Sequence, residues 1–285
     1  MYSSYRTDMA AEAYQLRSHE SAGLSSLPGV RAAEEKLYGL DVSAVEILDA
    51  AGADALGKGV GKYYTLTLPA QFDRGSPDFI SSVKASCDLL RRCLCFRPSS
   101  VLVAALGNPD ITPDALGSLT ASSLLVTRHL IQSSPRQFSP FASVSVCRTG
   151  VLGTSGIESA AHISLLCREL HPDAVIVIDA LAGCDADRLC RTVQFTDAGI
   201  APGSGVGNNR QELNHSVLGV PVVAVGMPTV MDAGLFGADA LKGMFVTPRS
   251  IDSVVRRAAK VIAYGLNMAL HDGLTVEDMD VLVCD

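Results

Sequence analysis

Three short stretches of this chain, SSVLVAAL (99–106), AVIVID (174–179) and VPVVAVG (220–226), are apolar at almost every position. A strand with one face in water alternates apolar and polar residues; a strand covered on both faces does not. Runs of this length read as strands rather than helices, and they are separated by longer segments with helical spacing. Those segments are PDFISSVKASCDLLRRCLCF (77–96), PDALGSLTASSLLVTRHLI (113–131), IESAAHISLLCREL (157–170) and IDSVVRRAAKVIAYGLNMALHDG (251–273). Pro113 suits the first turn of the second. The expected architecture is therefore α/β: three layers, a mostly parallel (mixed) sheet and helices on both faces. SVSVC (143–147) and TVQFTD (192–197) add strands. DVSAVEIL (41–48) and KYYTLTL (62–68), joined across GKGVGK, suggest a small N-terminal hairpin appended to it. Residues 1 to 35 are polar with weak periodicity and read as a loosely docked arm. With no internal repeat and no linker-like segment, one domain is expected.

A chain of 285 residues can bury a core without disulfides or a structural metal. Its net charge of −7 and lack of any Lys/Arg block argue against a nucleic-acid-binding surface. The N-terminus has no signal-like pattern, and no apolar run approaches membrane length. Eight cysteines are scattered, with Cys93 and Cys95 as CxC and no CxxC or finger-like spacing. Buried thiols in a reduced cytoplasmic protein are the expected state.

In open α/β sheets, sites form beyond the carboxyl ends of strands, near a switch in strand order. Asp114, after SSVLVAAL, and Asp179, closing AVIVID, both satisfy that condition. If their strands are neighbours, the two carboxylates face one crevice and can share a proton, as activation of water for amide hydrolysis requires. A helix-start acid is also favoured by capping alone, and Asp110 fits turn chemistry. The loop PGSGVGNNRQ (202–211) matches neither a dinucleotide nor a phosphate-loop fingerprint, and Ser155 lacks a nucleophile elbow. His129 is expected at the end of the helix that Asp114 begins, where a cation is structural. No HExxH spacing occurs, and a divalent ion held by Asp114, Asp179 and a distant histidine stays open as an alternative.

Six blocks then carry a resemblance: LGNPDITPDALG with LLVTRHL, GVLGTSGIES, PDAVIVIDALA, TVQFTDAGIAPGSGVGN, LGVPVVAVGMPTVMDA, and near the C-terminus FVTPRSIDSVV with AYGLNMALH. In order and wording they resemble the germination protease family of spore-forming bacteria. The resemblance implies an endopeptidase that degrades small acid-soluble spore proteins at germination, in the forespore or spore core, without a cofactor. It places the family's two catalytic aspartates on Asp114 and Asp179, with no metal. A related fold, that of the hydrogenase-maturation peptidases, binds nickel at the equivalent acids, which keeps a metal-dependent peptidase as the alternative. A non-catalytic peptide-binding spore protein of the same fold is the other alternative.

The family is made as a zymogen that cleaves itself. Here that implies the bond Asp8–Met9 in YRTDMAAEA, with residues 1–8 as propeptide and 9–285 as the peptidase domain. It also implies a homo-oligomer, a tetramer in the family. Gly205, Gly207 and Asn208 are the expected donors to the oxyanion. Arg128 and His129 are expected to support the site. GLFGADALKGM stands where better-known members carry a long insertion.

Overall fold

The computed structural model describes residues 6–20, 27–207, 210–237 and 239–283. Among the described residues nine strands form one sheet: β1 (Val30–Leu37), β2 (Leu40–Ile47), β3 (Gly61–Thr67), β4 (Ser100–Leu106), β5 (Ser143–Gly150), β6 (Ala174–Gly183), β7 (Thr192–Thr196), β8 (Val222–Asp232) and β9 (Phe245–Val246). The helices are α1 (Ala10–Glu20), α2 (Ala50–Leu56), α3 (Pro77–Leu94), α4 (Leu116–Ala121), α5 (Arg128–Ser133), α6 (Leu152–Ser155), α7 (Ser159–Leu170), α8 (His215–Leu218), α9 (Ile251–Leu270) and α10 (Val276–Leu282).

The strand order is β1-β2-β3-β7-β8-β6-β4-β5, with β9 paired to β8. β5, β4, β6 and β8 run parallel, and the remaining pairings are antiparallel. The apolar runs lie in the parallel half, as two-sided burial requires. Within β6, Ile176 and Ile178 face one core with Val103, Val225 and Tyr264, while Val175 and Val177 face a second with Leu102 and Ile163. Helices α3 and α9 cover the first face and α7 the second, which makes the three layers.

Local chemistry sets the helix ends. Ser76 accepts from the Phe79 amide at the head of α3, with Pro77 in its first turn, and Cys95 closes the helix in the left-handed region. Gly265 of α9 carries no Cβ because one would lie 2.7 Å from the Ser86 Cβ of α3, so the glycine lets the two helices approach.

Three expectations are revised. The hairpin is no separate appendage, since β3 pairs with β7 and extends the main sheet. The segment 113–131 is not one helix. It breaks after α4 because Thr127 Oγ1 donates to the Ala142 carbonyl and accepts from the Val144 amide, tying the chain to β5. The described part of the arm is not loosely docked. Met9 and Ala10 are fully buried, and Ala10 and Ala13 pack with Val30, Val45, Ile47, Leu56 and Tyr63.

Candidate active site

β4 pairs with β5 on one side and β6 on the other, so strand order reverses there and a crevice opens at the carboxyl ends. The β4–β6 pairing stops at Ala105–Ile178, one residue short of Asp179. Asp114 follows β4 through a tight turn. Gly107 has φ +90° and sits where a Cβ would lie 2.0 Å from the Asp114 carbonyl oxygen. The turn aims the Asn108 amide at Asp114 Oδ2, 2.7 Å away. Asp114, Asp179 and Asp8 line one cleft of about 690 Å³.

The two carboxyls differ in setting. Asp179 is 6% exposed and takes one hydrogen bond, from the Ala180 amide. Burial pushes it well above the usual carboxylate range, and the charges of Asp114 and Asp8 add to that. Asp114 is half-buried; its burial also raises it, against the Asn108 amide. A buried acid pushed toward its protonated form beside a less enclosed carboxyl is a pair whose environments favour unequal roles.

The N-terminal segment bends at Asp8, which lines this cleft, just before α1 begins at Ala10. The Asp8 amide donates to the Ala182 carbonyl (2.9 Å), and the Ala182 amide donates to Asp8 Oδ2 (2.9 Å). Ser204 Oγ donates to Asp8 Oδ1 (2.6 Å). Gly205 leaves the room for this carboxylate, since its Cβ would stand 2.3 Å from Asp8 Oδ2. Lys58 Nζ donates to the Thr7 carbonyl (2.7 Å). Burial lowers the Lys58 pKa, while Asp8 and Glu12 hold it up. Glu12, 2% exposed, accepts from the Cys184 amide (2.8 Å) and from Thr7 Oγ1. Its burial pushes the carboxyl above its ordinary range.

The structure therefore gathers Asp114, Asp179 and Asp8, leaves Met9, next to Asp8 in sequence, buried, and redistributes the remaining expectations. Gly207 is not an open oxyanion donor, because its amide donates to the Ser204 carbonyl (3.2 Å). Gly205 faces the Asp8 side chain. Asn208 lies outside the described residues. Arg128 and His129 are not among the residues lining the cleft, and they begin α5 instead of ending a helix. Lys58, Ser204 and Gln194 were not singled out by pattern. Only the GKGVGK and PGSGVGNNRQ loops hinted at two of them.

Among the described residues no three His, Cys, Asp or Glu side chains gather as a metal site, and neither His nor Cys lines the cleft. Nickel-type ions favour imidazole or thiolate, so this donor set does not fit one. Burial raises the thiols of Cys87 to about 11 and of Cys147 to about 12, far from thiolate nucleophiles. No described helix is long and apolar enough to cross a membrane.

Comparison with known proteins gives a consistent picture. A model of the germination protease family matches residues 7–245. A germination protease of Caldanaerobacter subterraneus subsp. tengcongensis is 36% identical, over 98% of this chain and 98% of its own length. One from Geobacillus sp. strain WCH70 is 40% identical, over 98% of this chain and 77% of its own length. Among solved structures, a [NiFe] hydrogenase maturation protease HycI from Thermococcus kodakarensis KOD1 aligns with 59% of this chain and 93% of its own, at 17% identity and a TM-score of 0.33.

Proposed function

The chain belongs to the germination protease family, and from that premise we propose an endopeptidase in which Asp114 and Asp179 activate water. The observation that carries the reading is Asp8 lining the cleft of the two aspartates, its carboxylate held by the Ala182 amide and Ser204 Oγ. In this scheme Asp179 holds the shared proton and gives it to the oxygen of the scissile carbonyl. Asp114, ionised, takes a proton from the water that attacks the carbonyl carbon. As the tetrahedral diol collapses, the C–N bond breaks, the proton on Asp114 passes to the leaving amine, and one diol hydroxyl returns a proton to Asp179 as the C=O bond re-forms. The pair titrates as a unit.

The same docking supports self-processing between Asp8 and Met9, with residues 1–8 as propeptide and 9–285 as the peptidase domain. Ser204 Oγ, the Ala182 amide and the nearby Lys58 ammonium suit a carboxylate just before the cut. The substrates proposed are small acid-soluble spore proteins, met in the spore core. An exposed apolar run, Phe236, Leu241, Met244 and Phe245, supports a homo-oligomer.

The reading is tested by incubating the chain with an acid-soluble spore protein, with and without chelator. Asp114→Asn and Asp179→Asn are run alongside. Cleavage that survives chelator and falls at least a hundredfold in both variants is expected. Wild-type rates in both variants would remove the carboxylate mechanism, and loss of activity with chelator would restore the metal-dependent alternative.

A further inference from the structure

Gln194 lies on β7, 6% exposed, and both ends of its amide are used on the docked peptide. Its Nε2 donates to the Asp8 carbonyl oxygen (3.2 Å), and its Oε1 accepts from the Ala10 amide (2.8 Å). One planar side chain therefore spans the Asp8–Met9 bond, holding the carbonyl before it and an amide beyond it. The sheet explains the placement. Gln194 pairs with Gly226, and Gly226 pairs with Asp179, so the three stand in one row on one face. The middle position has no side chain. The outer two Cα atoms are about 10 Å apart at ordinary strand spacing, and the Leu181 side chain packs over Gly226, its Cγ 2.6 Å from where a Cβ would stand.

We propose that Gln194 is a catalytic residue of this site: the fixed donor that stabilises the partial negative charge building on the scissile carbonyl oxygen as Asp179 delivers its proton, and the clamp that sets the peptide's register. The inference rests on the proposed cut between Asp8 and Met9. It replaces the glycine loop as the source of the oxyanion donor. When water adds to the Asp8 carbonyl carbon, the oxygen gains the electron pair of the C=O π bond. A neutral amide N–H already aimed at that oxygen gains strength as the charge develops, with no reorganisation. The Ala10 contact involves no reacting atom and acts equally in the ground and transition states.

That division of labour predicts a distinctive pattern. Gln194→Glu keeps the shape and an oxygen for Ala10, but it replaces the donor by a carboxyl. Gln194→Ala removes both contacts. The experiment follows a synthetic peptide of sequence SYRTDMAAEA cut by the chain, with self-processing of the full chain and amide exchange at Ala10 measured in parallel. For Gln194→Glu, kcat is expected to fall about 10²–10³-fold, as for loss of one oxyanion donor, with KM within threefold and Ala10 still protected. For Gln194→Ala, KM is expected to rise as well and Ala10 protection to fall.

Cleavage by Gln194→Glu within threefold of the unmodified kcat overturns this proposal and leaves the aspartate reading standing. Equal losses in kcat for both variants, with unchanged Ala10 exchange, mark Gln194 as merely structural and also overturn it. An unmodified chain that cuts neither the peptide nor itself at this bond overturns the proposal together with the reading beneath it.

Discussion

At the residue scale, the decisive fact is that Asp179 is enclosed and Asp114 is less so. The enclosure has a thermodynamic consequence. The folded value of Asp179 lies above its unfolded value, so the folded state binds the extra proton. Its contribution to stability is fully present below the unfolded value, about 3.9, and is lost as pH rises through the folded value. Each unit of upward shift costs about 1.4 kcal/mol once the pH exceeds the folded value. Asp179→Asn is therefore expected to be more stable than the unmodified chain at pH 7, while losing activity. Urea titrations across pH check this: the advantage should shrink on acidification and vanish near pH 4 (about the unfolded value). A variant less stable at pH 7 would show that the buried carboxyl is stabilised by contacts this account omits.

At the scale of elements, Asp114 and Asp179 were legible because a fully apolar strand announces its own end, and sites follow strand ends. The break between α4 and α5 was not legible, since apolar spacing continues across it from Leu116 to Leu130. What ends the helix is distant in sequence. Asn267 of α9, 1% exposed, accepts from the Leu125 amide (2.9 Å) and donates to the Ser123 carbonyl (3.0 Å), pinning the segment after α4. Replacing it with Leu leaves one buried and one partly buried main-chain group without these bonds. A loss of about 2–6 kcal/mol in urea denaturation is expected, from a cost of about 1–3 kcal/mol for each such group. Gln194 was equally hidden: in TVQFTD it reads as one polar residue of an alternating strand, and its use is defined only by the peptide lying over it.

At the scale of the whole molecule, one sheet serves two purposes. Its parallel half builds the crevice, and β3 with β7, in the antiparallel half, receives the N-terminal segment. The arm looked loose in sequence because it lacks an apolar stripe. It is held by the buried Met9, by Glu12 in the first turn of α1 and by the Asp8 hydrogen bonds to Ala182, contacts that leave no apolar stripe to read. The same docking makes the account testable on the chain alone, without any added substrate.

The most direct measurement is the N-terminal residue and intact mass of the purified full chain, followed over time, for the unmodified protein and for Asp114→Asn and Asp179→Asn. The account predicts that the unmodified chain loses residues 1–8 and begins at Met9, while both variants keep their full N-terminus and remain folded. Trimming to Met9 at the unmodified rate in either variant would contradict it.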